Sequence, residues 1–504
     1  MHNVKRIMSL PLVEETRYLP EPEAYGAALE KRQHTAIESS SKGGSVSHIR
    51  INPERNGYLV PGDSHLSFTV QGDLVGLGLP LNQDRPASGA SPVLPQTANN
   101  PFLRMSPVGA ASCIQTIELL NNGSTVSIID NYQRLAALIM VSDTDVSALN
   151  SKHLCERSAY TNARGDLLVG TRVVDFGPCT GQDNTSFDTA GTKCKTPLIT
   201  CTLPLLGLLS SMSPLPLGQL NHALEIRITW ASTPPGLIDT VFYTGTKAGA
   251  AGAETNKIST CDLTFTNVYY ESTIYRVEDS AEKEIAMLNN YGSEPIKWSV
   301  EDYRLAPINY EKVYFNSDSS SIVQVPAMRF NSLKNILLGG FQSNNFGAGT
   351  SGLLPFIPFD SVALRLGGIR YPNDELKTLP EVAVSTAAIF SNISSSVPSV
   401  LFREGFSKMN ERIGDVASTP VGQTDEQKIA ISKRLTCGIS FEPFPSVEAV
   451  NGINSEGMNL ELLTTTLNQV PGGGAAATQR CRVFVAGCYD AICVIDQGVL
   501  SMSY

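Results

Sequence analysis

The residues best suited to chemistry in this 504-residue chain are two adjacent carboxylate pairs, Glu278/Asp279 and Glu301/Asp302. Two carboxylates across a cleft can cleave a glycosidic bond, one as acid and one as base or nucleophile. Adjacent residues of one strand point to opposite faces, so neither pair can flank one bond; Glu278/Asp279 reads instead as solvated charge in a connector. The ten cysteines contain no CxxC pair, and none of the six histidines stands at metal-ligand spacing with them. Cys488 and Cys493 read as small buried hydrophobes, and His222, ahead of an apolar strand, as a structural histidine. His2, His34 and His48 fall in or beside an N-terminal arm, and Trp230 and Trp298 in strands, as core or interface. No GxSxG, HExxH or GxxxxGK[ST] occurs. Gly339-Gly340 and Gly472-Gly473-Gly474 lack the strand–turn–helix context of a phosphate loop. No catalytic, cofactor-binding or metal residue is therefore assigned, and no enzyme is expected.

Charge narrows the partners. The net charge is −10 and no dense run of Lys or Arg occurs, which excludes extensive contact with nucleic-acid backbone; no sequence-specific nucleic-acid binding is expected. No signal peptide and no run of 18 apolar residues is found. Free thiols in a reducing compartment follow, with the sequons at Asn122, Asn184 and Asn392 as chance matches.

The elements that must position these residues are strands. The chain is 42% hydrophobic and 17% charged, with 41 Gly and 30 Pro, a mixture of short strands, turns and long loops. Residues 1–45 read as an extended arm with a short helix around Glu23–Arg32. Strand alternation begins at Val46. Cys113–Leu120, the turn Asn121-Asn122-Gly123 and Thr125–Ile129 read as a hairpin. Asp130 then caps a helix, with Gln133 in capping-box position and Tyr132, Leu135, Ile139 and Val146 near one face. The order returns later: Val362–Leu366, the turn Gly367-Gly368, an extended piece ending at Pro372, then a helical pattern from Glu375 across Pro380 to 392. Two further pairs match, 222–231 with 458–467 and Cys261–Tyr275 with Cys481–Ile495; Cys261 and Tyr269 are eight apart, as are Cys481 and Tyr489. Four features in the same order predict two similar β-domains in tandem.

Three strings also carry a resemblance: LGLLSSMSPLPLGQLNHALEIRITWA, VALRLGGIRYPNDEL and FVAGCYDAICVIDQGVLSMSY. Across residues 50–504 the chain resembles the double jelly-roll major capsid proteins of double-stranded DNA viruses, closest to the virophage and polinton-like branch. The resemblance implies an all-β fold of two tandem eight-stranded jelly-roll barrels with short helices and long loops. The expected division is 1–45 as N-terminal arm, 46–275 as first roll, 276–293 as connector and 294–504 as second roll. It implies a homotrimeric, pseudo-hexagonal capsomer tiling an icosahedral shell, and partners that are neighbouring capsomers, penton proteins and minor capsid or cement proteins. The location is then the virion, assembled inside the host cell without secretion through a signal peptide. Loops 81–107, 177–196, 245–257 and 468–480 would be exposed or between subunits. Two alternatives stand beside this reading. One is a tandem β-sandwich that cuts or binds carbohydrate, which the 7% aromatic content weakens. The other is a single-roll capsid or fibre protein with an added domain, against which the internal repeat speaks.

Overall fold

The computed structural model describes residues 28–76, 102–105, 109–143, 175–178, 193–195, 198–231, 238–241, 258–276, 295–308, 320–325, 328–342, 359, 361–377, 379–390, 436–442, 452–465 and 481–503. The first half runs β1 (Ala28–Thr35), β2 (Ser40–Lys42), β3 (Val46–Ile51), β4 (Gly57–Gly76), β5 (Phe102–Met105), β6 (Ile114–Asn121), β7 (Ser124–Asp130), helix α1 (Tyr132–Asp143), β8 (Asp175–Pro178), β9 (Lys193–Lys195), β10 (Ile199–Leu203), β11 (Leu215–Pro216), β12 (Leu224–Trp230), β13 (Ile238–Val241) and β14 (Ile258–Arg276). The second runs β15 (Ile296–Ile308), β16 (Ser320–Val325), β17 (Leu333–Gln342), β18 (Ser361–Leu366), β19 (Ile369–Leu376), helix α2 (Leu379–Phe390), β20 (Cys437–Ser440), β21 (Leu460–Thr465), β22 (Cys481–Asp496) and β23 (Val499–Ser503).

Period-two burial makes these segments strands. In β12, Leu224, Ile226, Ile228 and Trp230 are buried while Glu225, Arg227 and Thr229 between them are half-exposed. The strands pair antiparallel into facing sheets. In the first half the orders are β1-β14-β4-β10 and β3-β12-β6-β7, with β2, β9 and β11 added to the first sheet and β13-β5-β8 as a small third one. In the second half they are β15-β22-β17-β20, extended by β23, and β16-β21-β18-β19. The chain alternates between facing sheets in the same sequence both times, which is the winding of a jelly roll. Among the described residues no sheet mixes strands from the two halves, so each half is a roll: roll 1 from β1 to β14, roll 2 from β15 to β23.

Two-residue turns set the registers. Asn122 and Gly123 have φ of 52° and 75°, Gly367 and Gly368 of 56° and 92°, and Gln497 and Gly498 of 49° and 79°. Positive φ at both central residues is the type I′ geometry that matches strand twist. Each roll has its own aromatic centre. In roll 1, Trp230 stacks on Phe265 at 4.0 Å and meets Phe68 edge-on at 4.9 Å, with its indole N–H donating to Ser47 Oγ at 2.8 Å. In roll 2, Phe330 stacks on Tyr489 at 3.9 Å.

Several local expectations change. β1 pairs with β14 along its whole length, Ala28 to Thr35 against Arg276 to Tyr269. It holds the place in roll 1 that β15 holds in roll 2, so from Ala28 onward the expected arm is sheet, and the helix placed over Glu23–Arg32 is strand where it is described. Asp130 stays in β7 and does not cap α1. Asn131, at φ 53°, turns the chain instead, and its carbonyl accepts from Arg134 and Leu135 N–H at 2.8 and 3.2 Å. Gln133 Nε2 donates to Gln115 at 2.9 Å rather than closing a capping box. Glu375 lies in β19, because the hairpin after Gly368 continues past Pro372; α2 starts at Leu379, with Pro380 in its first turn, where a missing N–H costs nothing. The four loops named above fall largely outside the described residues, as do the 276–293 connector beyond Arg276 and the pair Glu278/Asp279.

Candidate functional site

The feature that joins the two rolls is a seam built around α1. Its stretch 135–139, LAALI, is apolar without a break, and such a stretch must be covered on more than one side. Tyr132, Leu135, Ala136, Ala137, Leu138 and Ile139 are all buried, a wider apolar surface than the single face expected from Tyr132, Leu135, Ile139 and Val146, the last of which lies outside the described residues. Roll 1 covers one side of α1 and roll 2 the other. The one cation of this buried stretch, Arg134, lies with its guanidinium 4.2 Å over the ring of Phe484 and 6.0 Å from that of Phe341, both in roll 2. Thr436, just ahead of β20, donates its hydroxyl to the Leu138 carbonyl at 2.9 Å.

At a second point of the seam β7 and β15 meet through Asp302. This carboxylate is 1% exposed. Its Oδ2 accepts from Ser127 Oγ of roll 1 at 2.8 Å and from the Tyr489 hydroxyl at 3.4 Å, and its Oδ1 accepts from the Tyr303 N–H at 2.9 Å. The Leu208 N–H of roll 1 is a further donor. All four donors are neutral. Burial raises the Asp302 pKa from 3.8 to about 6, and the bonds from Ser127, Tyr303, Tyr489 and Leu208 only partly offset it. Gly207, at φ +71°, makes the approach feasible: a Cβ there would collide with Asp302 Oδ1 and stand 2.8 Å from Ile129 Cδ1.

The last hairpin forms the third point. Asn121 Oδ1 accepts from the Leu500 N–H at 2.9 Å. Asn221 donates its backbone N–H to the Gly498 carbonyl and its Nδ2 to the Gln497 carbonyl, each at 2.9 Å. A Cβ on Gly498 would collide with Asn221. Two asparagines of roll 1 thus clamp the Gln497-Gly498 turn of roll 2. Helix, carboxylate and clamp fix the rolls as one body; among the described residues one continuous apolar core runs through both.

The residues singled out for chemistry are scattered over this frame. Glu301 and Asp302 do point to opposite faces, the first exposed and the second buried. Glu301 joins a partly exposed cluster on roll 2, where Lys334 pairs with Glu301, with Glu442 at 3.0 Å and with Asp490 at 3.9 Å. Ser332 Oγ donates to Asp490 Oδ2 at 2.7 Å. Cys488 and Cys493 are buried, and burial pushes both thiols well up, which suppresses the reactive thiolate. Trp230 and Trp298 are core. His34 sits in β1 with Nε2 2.8 Å from Ser272 Oγ, and His48 in β3 with Nδ1 2.6 Å from Glu38. His222 is exposed rather than enclosed, and its carbonyl accepts from Asn121 Nδ2 at 3.0 Å. Sequence reasoning missed the role of Asp302. The available signal was an acid alternating with Trp298 and Val300 on the inward face of a strand.

Comparison with known proteins gives one kind of match. No protein-family model matches the chain, and no curated protein sequence does. Among solved structures, a chain of the Sputnik virophage cryo-EM structure covers 95% of this chain and 89% of its own length at TM-score 0.54 and 11% identity. The Faustovirus major capsid protein covers 97% of both chains at TM-score 0.53 and 9% identity. A chain of the PBCV-1 virus capsid covers 95% of this chain and 97% of its own at TM-score 0.50 and 13% identity. Each match extends over nearly the whole chain, and the fold of this chain is the double jelly roll of the major capsid proteins.

Proposed function

We propose that this chain is the major capsid protein of an icosahedral double-stranded DNA virus, a structural component of the virion and not an enzyme. The observation that carries this reading is the full-length match: two rolls locked by one seam, with the fold of capsid proteins across 95–97% of the chain. The locked pair supplies what a tile needs, a rigid unit whose two similar flanks stand in a fixed relation. Three chains would present six rolls in a pseudo-hexagonal ring, and such capsomers would tile a facet beside penton and minor capsid or cement proteins. Contacts between capsomers would each be modest, with strength from their number. A net charge of −10 suits a shell that encloses a genome without gripping its backbone. The division into an arm, two rolls and a connector at 276–293 belongs to the same proposal, with the arm shortened to end before Ala28. No helix among the described residues is long and apolar enough to cross a membrane.

The test is the solution mass of the purified chain by light scattering, with negative-stain images of the same peak. Three times 54.1 kDa, about 162 kDa, with hexagonal outlines is expected. A monomer that binds a polysaccharide in a glycan screen would replace the reading with the carbohydrate-active one.

A further inference from the structure

The three points of the seam differ in chemistry. The helix is held by apolar packing, by the Arg134 guanidinium over Phe484 and by the Thr436 hydroxyl. The clamp on the Gln497-Gly498 turn is made of asparagine amides and backbone groups. None of these groups changes charge near neutral pH. Of the three points, only the meeting of β7 with β15 is built on a side chain that does, Asp302.

Asp302 is enclosed without a counter-charge. Ser127 Oγ faces it from β7, the Tyr303 N–H from its own strand, the Tyr489 hydroxyl from β22 and the Leu208 N–H from the turn at Gly207. The Cys493 thiol, also on β22, feels the charge of Asp302 and is pushed up by it and by burial. Phenols and a thiol of this kind stay neutral at physiological pH. The charged groups of these strands lie elsewhere. Glu301 and Asp490 are adjacent in sequence to Asp302 and Tyr489 and so take the opposite face; Asp130, three residues from Ser127, takes the other face of β7, and Arg304 is exposed. An ion at Asp302 is therefore solvated by dipoles alone, which water would do better.

Two of the parts that enclose it are held on few sides. β7 is the edge of its sheet, hydrogen-bonded to β6 alone, and its Ile128 is 46% exposed. Gly207–Ser210 is a single turn, closed by the Ser211 N–H on the Leu208 carbonyl at 3.2 Å and by Ser210 Oγ on the Gly207 carbonyl at 2.7 Å. β15 packs against both.

We infer that this part of the seam is a proton-operated latch. With Asp302 protonated, β7 and the Gly207–Ser210 turn close on β15; with Asp302 ionised they open locally and admit water to the carboxylate, while α1 and the asparagine clamp keep the rolls joined. The latch closes in acid and is freed toward neutral pH, the reverse of a carboxylate that sits on a cation. It rests on the seam and is independent of the function proposed above.

The test follows the full chain by hydrogen exchange and mass spectrometry at pH 5 and 7.5, with each rate divided by the intrinsic rate for its sequence and pH. With a pKa of about 6 when closed and 3.8 when open, opening becomes about tenfold more frequent over that interval. Protection of β7 and of Gly207–Ser210 is expected to fall about tenfold, with α1 and the Gln497-Gly498 turn unchanged. Asp302→Asn is expected to abolish the fall. Ser127→Ala removes one donor to the ion but leaves the carboxylate, and is expected to move the midpoint of the change to higher pH at unchanged circular dichroism; a merely structural serine would not move it. Equal protection at the two pH values, a fall that survives in Asp302→Asn, or a fall shared by α1 and the Gln497-Gly498 turn overturns the latch. So does an unmoved midpoint in Ser127→Ala, which stays readable should Asp302→Asn fail to fold.

Discussion

Replacing Asp302 by Asn tests the physical account of the seam. The carboxylate is buried among neutral donors, and its pKa is raised from 3.8 to about 6. A raised acid pKa means that the folded state holds the proton more tightly than the unfolded chain. Its contribution to stability is complete below pH 3.8 and is lost as pH rises through about 6. At about 1.4 kcal/mol per unit, the full swing is about 3 kcal/mol. Asn keeps an acceptor for the Tyr303 and Leu208 N–H groups and can donate to Ser127 Oγ, but it does not titrate. The stability of wild type minus that of Asp302→Asn, from urea midpoints at pH 4 to 7.5, is expected to fall by roughly 2–3 kcal/mol as pH rises. Carboxylates with the opposite tendency cancel in this difference. Glu30, held low by its hydrogen bond from Arg32, and Glu375, held low by Ser361, are two. A difference that is flat with pH would refute the reasoning, since only a solvated Asp302 with the same pKa folded and unfolded carries no such linkage.

Other perturbations follow from the same geometry. Gly207→Ala adds a Cβ at φ +71° against Asp302 and Ile129, and should cost about 3 kcal/mol, read as a lower urea midpoint. Lys334→Ala leaves Glu442 and Asp490 together without their cation and should cost roughly 2 kcal/mol, less than a fully buried pair loses because the cluster is partly open to water. Removing residues 1–27 should leave soluble, folded protein, whereas removing 1–40 takes β1 away and bares the edge of β14. Equal solubility of the two truncations would show that β1 is dispensable.

What the sequence announced and what it concealed divide along physical lines. The turns were legible because Asn-Gly and Gly-Gly tolerate positive φ at both positions, and such a pair between alternating segments has few other uses. The repeat was legible through Cys261/Tyr269 and Cys481/Tyr489, which mark the corresponding strands β14 and β22, each inside its sheet. β1 was hidden because its residues, ALEKRQHT, lie at a sheet edge with alternate side chains in water, and favour helix on propensity. Asp302 was hidden for a different reason. Its significance depends on Ser127 and Leu208, far away in the chain, and no local pattern foretells a partner supplied by another roll. The seam as a whole shares that property: α1 looked like an ordinary one-faced helix until roll 2 was seen to cover its other side.

The burial of α1 also bears on synthesis. A ribosome releases Asp143 about 350 residues before Ile495, the far end of the strand that α1 packs against. At roughly 5–20 residues per second the helix waits on the order of half a minute for its cover. During that interval the nascent chain displays an apolar helix beside a finished or half-finished first roll, a ready target for other nascent copies on the same message. A chaperone that shields residues 132–139 until translation ends would therefore govern the yield of folded chains more than the final stability of the fold does.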